Sequence, residues 1–315
     1  MSSVPSQANH ADLDARLAEN AAAIEALLER LLSEATVPGE IVRPPRLVAA
    51  MRHGALGGGK RLRPFLTVEA ARLFGAPVGQ ARRAGAAVEL LHCYSLVHDD
   101  LPAMDDDDLR RGRPTVHKAF DEATAILAGD ALLTLAFEVL ADEATHSSGA
   151  VRAALVSCLA RASGLGGMVG GQMLDLAAEG RFEAQRGSLT EAAIRQLQAM
   201  KTGALLAASV EIGARLGGAD AAALAALGRY GRALGATFQI ADDILDVEAD
   251  AAQMGKATAK DADKGKATLV GALGLDSAKR ERDRLSDEAV AALAGFGPEA
   301  DVLRAAARFA AERKS

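Results

Sequence analysis

The chain has no tryptophan, two tyrosines and eight phenylalanines, so aromatic residues fill only 3% of its 315 positions. Strands draw on aromatic and β-branched side chains to cover a pleated surface, and this chain has little with which to build a sheet. Nine prolines are present, but none falls between Pro114 and Pro298. Helix interiors reject proline, so that long stretch is open to helices. Two cysteines, Cys93 and Cys158, are too few for a disulfide framework or a zinc site and fit a reducing cytoplasm. The longest uncharged run, residues 162–174, is glycine-rich and shorter than a membrane span needs. A basic excess is missing too: 36 Lys and Arg against 42 Asp and Glu give a net charge of −6, which argues against a general nucleic-acid binder. The opening MSSVPSQANH has neither the basic start nor the apolar core of a secretion signal.

What the chain has is alanine, 71 residues of the strongest helix former. Half of it is hydrophobic and a quarter charged, the balance of a soluble globular protein. The expected fold is therefore all-α. Apolar residues at helical spacing predict helices over residues 11–32, 65–74, 80–98, 120–140, 149–162, 190–216, 221–246, 266–290 and 298–312. Residues 1–10 read as a frayed tail, and residues 37–46, with three prolines, as a connector. Neither a dividing linker nor a fixed-period repeat is visible, so a single domain is expected.

Two acidic clusters interrupt this pattern. The first is Asp99 and Asp100 followed by Asp105, Asp106, Asp107 and Asp108. A bare run of aspartates is usually a solvated loop. Here it follows the apolar LLHCYSLVH and precedes Arg110, Arg111 and Arg113. The second cluster is FQIADDILD, in which Asp242 and Asp246 are four apart and share a helix face, with Asp243 beside them. Carboxylates embedded among Phe238, Ile240, Ile244 and Leu245 are costly unless paired or bound to metal. Oxygen-only donors select a hard cation, and neither cluster has the loop length, central glycine and closing glutamate of a calcium hand; Mg²⁺ shared with a substrate phosphate is the expectation.

Cations gather at glycines. Lys60, Arg61 and Arg63 lie in GALGGGKRLRP ahead of an expected helix start, a setting for anion binding. The string Gly54 to Lys60 fits a nucleotide P-loop, but Arg61 stands where Ser or Thr should hold magnesium and no buried strand precedes it. Lys201, Lys256, Lys260 and Lys266 are further candidates, and Arg313 and Lys314 read as a solvated basic end.

GGKRLRP, DDLPAMDDDDLRRGRPTVH, GGQMLDL, KTG, FQIADDILD and GKATAKDADKGK occur in the order and at the spacing of the trans-polyprenyl diphosphate synthases, and the chain most resembles their bacterial farnesyl diphosphate synthase group. The resemblance covers about residues 45–275. It implies an all-α bundle around a deep cavity, a homodimer, and three Mg²⁺ ions. It assigns Lys60, Arg63, His92 and Arg111 to the diphosphate of isopentenyl diphosphate. Asp99, Asp105 and Asp242 are the implied magnesium ligands, supported by Asp100, Asp243 and Asp246. Arg110, Lys201, Lys256 and Lys266 are assigned to the allylic diphosphate and the segment closing over it, and Thr202 and Gln239 to the developing cation. Ala241 stands where many relatives carry Gln.

Tyr94 and Ser95 lie five and four residues before Asp99, about 7.5 Å down a helix for the former. An aromatic there would floor a cavity for the growing chain, and the resemblance couples it to a C15 product. The expected reaction joins isopentenyl diphosphate to dimethylallyl or geranyl diphosphate, with a C20 synthase or a silent subunit of a heteromeric synthase as alternatives.

Overall fold

The computed structural model describes residues 7–182, 189–254 and 268–313, with backbone alone for 7–11 and 250–254. Its architecture is helical, as the alanine content dictates. Of the described residues, Asp14–Val156 with Arg215–Gly218 form one compact unit, and the remainder form a second.

In the first unit, α2 (Pro45–Ala55), α3 (Leu62–Arg72), α4 (Val78–Asp99), α5 (Val116–Ala119) and α6 (Glu122–Ala141) follow one another, with much of α1 (Gln7–Leu31) packed in the same unit. α4 is the central element and packs on α2, α3 and α6. Ala84, Ala86, Ala87, Val88, Leu90 and Leu91 are fully buried, and these mostly small side chains let neighbouring backbones approach. Gly85 takes this to its limit, since a Cβ there would meet Pro64 Cα at 3.1 Å. A two-residue antiparallel hairpin, β1 (Leu109–Arg110) and β2 (Arg113–Pro114), follows α4.

α7 (Gly149–Ser163) has residues in both units; in the second, α8 (Met168–Ala178), α9 (Glu191–Gln198) and the long α11 (Ala221–Met254) surround a single wide π turn at Ala199–Gly203, which runs on into α10 (Ala204–Leu216). α12 (Leu269–Leu273), α13 (Leu275–Ala292) and α14 (Asp301–Glu312) pack on α11 or on one another. Tyr230 of α11 is fully buried and its hydroxyl donates to the Leu303 carbonyl of α14 at 2.7 Å.

Several boundaries depart from the sequence expectation. The first helix already begins at Gln7, inside the stretch read as tail. α2 went unread because His53, Gly54 and the glycines after Ala55 dilute its periodicity; Pro45 at its first turn was its start signal. The expected helix over 266–290 breaks at Gly274, whose φ of +79° ends α12 and lets α13 begin. By length and composition Glu122–Ala141 and Gly149–Ala178 are apolar enough to cross a membrane, which the search for uncharged runs missed. In α6, Ala125, Ala128, Leu132, Ala136, Val139 and Leu140 are buried within the protein.

Replacing Tyr230 with Phe leaves the Leu303 carbonyl without its buried donor and is expected to cost about 1–2 kcal/mol, read from urea denaturation midpoints.

Candidate functional site

The glycine loop between α2 and α3 is built on left-handed backbone. Gly58 and Gly59 have φ of +69° and +115°, which glycine adopts without penalty, and Arg61 follows at φ +46°, where a side chain costs about 1–2 kcal/mol. Arg61 is held there by its guanidinium. Nη1 donates to Glu89 Oε1 at 2.6 Å, Nη2 to Glu25 Oε2 and the Ala55 carbonyl at 2.6 Å each, and Nε to Glu25 Oε2 at 3.2 Å. Lys60 beside it is exposed and Arg63 half-buried.

The hairpin braces the same loop. Arg111 Nη1 donates to the Gly58 carbonyl at 2.6 Å, and Arg113 Nη1 to the Leu56 carbonyl at 3.1 Å. A Cβ on Gly59 would sit 2.5 Å from the Arg111 guanidinium, which could move aside, so it is the φ of +115° that calls for glycine there. His53 donates from Nε2 to the Pro114 carbonyl at 2.7 Å and leaves Nδ1 to face Arg113. Between loop, hairpin and α4 lies a cavity of about 50 Å³ whose wall includes His53, Arg61, His92, Arg110, Arg111 and Arg113. Glu89 and Asp100 also line it, so four guanidiniums stand against two carboxylates, and the surplus of positive charge suits a small, multiply charged anion.

His92 reaches this cavity from α4. Removal from water, and then the guanidiniums of Arg63, Arg111, Arg61 and Arg110, hold its pKa well below the ordinary histidine value. The ring is therefore neutral near pH 7, a donor on one nitrogen and an acceptor on the other. Cys93, next along the helix, is pushed up to about 12 by burial and by Glu89, so it stays a thiol.

Asp99 ends α4 half-buried, while Asp100 is buried. Arg110 grips Asp100 Oδ1 through Nε at 2.7 Å and Nη2 at 2.6 Å. Burial nonetheless raises the Asp100 pKa, against the pull of that arginine. Asp105 is exposed, and its N–H is bonded to the Asp99 carbonyl at 2.8 Å, which turns the loop back toward the helix end. Asp108 pairs with Lys118 at 2.8 Å.

Tyr94 is buried with its ring edge-on to His98, the centroids 5.5 Å apart. His98 Nε2 donates to the Ile126 carbonyl at 3.0 Å, and a Cβ on Gly129 would fall 2.1 Å from that nitrogen. The Tyr94 ring is thus backed by a histidine that a glycine of α6 admits. Ser95 Oγ donates to the His92 carbonyl at 2.9 Å and stays half-buried.

In the second unit, Lys201 and Thr202 lie in the π turn, where one extra residue widens the helix, a feature common at functional sites. Lys201 Nζ pairs with Asp175 of GGQMLDL. A Cβ on Gly171 would come 2.2 Å from the Lys201 backbone nitrogen, and one on Gly235 would come 2.9 Å from Gly203 Cα, so both glycines make room for the turn.

The second aspartate set is divided in role. Asp243 is buried and both its oxygens are used: Gln239 Nε2 donates to Oδ1 at 3.1 Å, while Gln198 Nε2 at 2.8 Å and the Leu269 N–H at 3.1 Å donate to Oδ2. Burial raises its pKa against those three bonds. Ile240 and Ile244 pack with Ile194, Leu269 and Val270 beneath it. Asp242 and exposed Asp246 instead border an open cleft with Lys279, Arg282 and Arg313. Arg313 does not behave as a solvated end: Nη2 lies 2.6 Å from Asp242 Oδ1, and the guanidinium rests over the Phe238 ring at 4.1 Å.

Among the described residues no three His, Cys, Asp or Glu side chains come close enough to hold a metal ion by themselves. Asp99 and Asp105 in the first unit, and Asp242 and Asp246 in the second, present carboxylate oxygens. Oxygen donors of this kind fit Mg²⁺, which keeps waters and takes remaining oxygens from a substrate phosphate. Lys256, Lys260, Lys266 and Lys314 lie outside the described residues. Sequence reasoning passed over His53 and read Arg113 only as part of a basic run, because their contacts are to backbone carbonyls far along the chain, and it grouped Arg61 with Lys60 although its side chain is turned into the protein.

The family model described as polyprenyl synthetase matches residues 44–302. Farnesyl diphosphate synthase of Escherichia coli is 48% identical over 245 residues, covering 77% of this chain and 80% of that protein. Geranylgeranyl pyrophosphate synthase of Catharanthus roseus is 41% identical, over 82% of this chain and 71% of its own. Among solved structures, an FPP/GFPP synthase from Zymomonas mobilis superposes with a TM-score of 0.83 at 44% identity, covering 95% of this chain and 98% of that one.

Two outcomes test the geometry. His92 is held neutral, so its contribution to stability is complete above the ordinary value of about 6.5 and falls as the pH drops below it, by at most about 1.4 kcal/mol per pH unit. Asp100 and Asp243, with raised values, act in the opposite sense, so the difference between wild type and His92→Gln in urea melts at pH 7.5 and 5.5 isolates the histidine. Gly171→Ala forces the backbone of Lys201 to shift; a stability loss of about 1–3 kcal/mol and a fall in kcat of about tenfold or more are expected in urea melts and turnover assays.

Proposed function

The chain belongs to the polyprenyl synthetase family, and from that premise we propose that it joins isopentenyl diphosphate head-to-tail to dimethylallyl and then geranyl diphosphate, giving (E,E)-farnesyl diphosphate. The observation that carries the reading is the cation-lined cavity enclosed by the glycine loop, the hairpin and His92. A diphosphate is a compact anion of high charge, and several guanidiniums set in place before it arrives stabilise it at little reorganisation cost.

The reaction is ionisation, condensation and proton loss. Breaking the allylic C–O bond leaves a carbocation and a diphosphate, and the barrier falls as the leaving charge is met by cations. Arg110 and Lys201 are proposed for that role, with Lys256 and Lys266. Asp99, Asp105 and Asp242 are the proposed magnesium ligands, and Asp246 supports them; when bound, Mg²⁺ supplies Lewis-acid stabilisation of the departing diphosphate. Asp100 and Asp243, whose oxygens are engaged within the protein, support their neighbours. Lys60, Arg63, His92 and Arg111 hold the second substrate so that its alkene is the nucleophile offered to the cation. Thr202 and the Gln239 amide provide dipoles, and the departing diphosphate is proposed to take the proton. The same reading has the enzyme act as a homodimer in the cytoplasm.

Tyr94 supports a C15 product, because a buried aromatic backed by His98 resists displacement by a lengthening chain. The test is incubation with labelled isopentenyl and dimethylallyl diphosphates, with and without Mg²⁺, followed by product sizing. A magnesium-dependent C15 product is expected, and Tyr94→Ala is expected to shift it to C20 or longer. A C20 product from wild type would keep the chemistry and overturn the length assignment. No product with any divalent metal would overturn the enzyme reading.

A further inference from the structure

Arg61 lies between two residues proposed to touch substrate, yet its own side chain turns the other way. It is 5% exposed, and every nitrogen of its guanidinium donates to a protein oxygen: Glu89, Glu25 and the Ala55 carbonyl. These partners come from α4, α1 and the end of α2, so one side chain ties three helices to the loop. Glu89 stands one helical turn before His92 on α4. The loop it anchors carries left-handed backbone at Gly58, Gly59 and Arg61 itself, the last against the ordinary preference of a residue with a side chain.

Electrostatics make the arrangement useful. The cavity collects Arg110, Arg111 and Arg113 near Arg61, and like charges gathered without an anion push one another apart. The charge of Arg61 is met by two carboxylates at 2.6 Å, so it fastens the loop while adding little to that repulsion. A lysine could keep the charge but could not reach three oxygens in a plane.

We propose that Arg61 is a positioning residue for the isopentenyl diphosphate subsite: through Glu25, Glu89 and the Ala55 carbonyl it fixes the turn that aims Lys60 and Arg63, and so sets affinity for that substrate without touching it. This rests on the assignment of Lys60 and Arg63 made above.

The experiment is steady-state kinetics with each substrate varied in turn, for Arg61→Lys, Arg61→Gly, the double variant Arg61→Met with Glu89→Gln, and Lys60→Ala. Arg61→Gly frees the strained φ, and the double variant avoids leaving Glu89 as an orphaned buried charge, so the two lose stability for different reasons. Expected for the Arg61 variants is a KM for isopentenyl diphosphate raised about tenfold, the scale on which supporting hydrogen bonds act, with kcat and the allylic KM within about threefold of wild type. Thermal melts run alongside. A lower melting temperature with both KM values unchanged, or raised equally, would make Arg61 a structural residue only and overturn the proposal. If Lys60→Ala leaves the isopentenyl KM unchanged, the subsite assignment fails and the proposal falls with it.

Discussion

A full charge set into apolar helical packing must be met by an opposite charge or by hydrogen bonds, and the candidate site is organised by how that requirement is satisfied. In each charged motif one member is turned into the protein and buried, and its neighbour is more exposed. Arg61 is spent on Glu25 and Glu89 while Lys60 is exposed. Asp100 is gripped by Arg110 while Asp99 stays accessible at the helix end. Asp243 uses both oxygens on Gln198, Gln239 and Leu269, while Asp242 borders an open cleft. Asp242 and Asp243 are adjacent on a helix and point about 100° apart, which divides them without further device, whereas Lys60 and Arg61 are divided by the left-handed turn.

The second requirement is room. Helices that carry functional side chains must approach closely enough to hold them, and alanine and glycine provide that clearance. Gly129 admits the His98 ring, Gly171 and Gly235 admit the π turn, and Gly231 lies against Ala207 where a Cβ would fall 2.8 Å from its Cα. The high alanine content is therefore more than helix propensity. It sets the spacing between elements.

Much of this was legible in the sequence, for stated reasons. Helical period and proline placement gave nearly every long helix, because those signals are local. The second aspartate set stood out because carboxylates among Ile240, Ile244 and Leu245 are costly unless paired or bound. What could not be read were contacts between distant residues. The division of Asp242 from Asp243 depends on Gln198, 45 positions away, and the role of Arg61 depends on Glu25, 36 away. Arg313 looked solvated because sequence alone does not place a chain end against Phe238 and Asp242. The π turn was invisible for another reason: AMKTG differs from ordinary helix by hydrogen-bond register, which composition does not encode.

That turn has a consequence for how the chain can vary in length. Ala199–Gly203 holds one residue more than an α-helical turn would, so everything after it is rotated by about 100° relative to an uninterrupted helix. Leu205, Leu206, Ala208, Ser209, Val210, Ile212 and Ala214 of α10 are buried round most of the helix, each packed in that rotated phase. Loss of a single residue from the turn would restore a regular helix and bring every one of these side chains against a different neighbour. A stretch that looks like plain helix is thus fixed in length to the residue, whereas the loops on the surface are not.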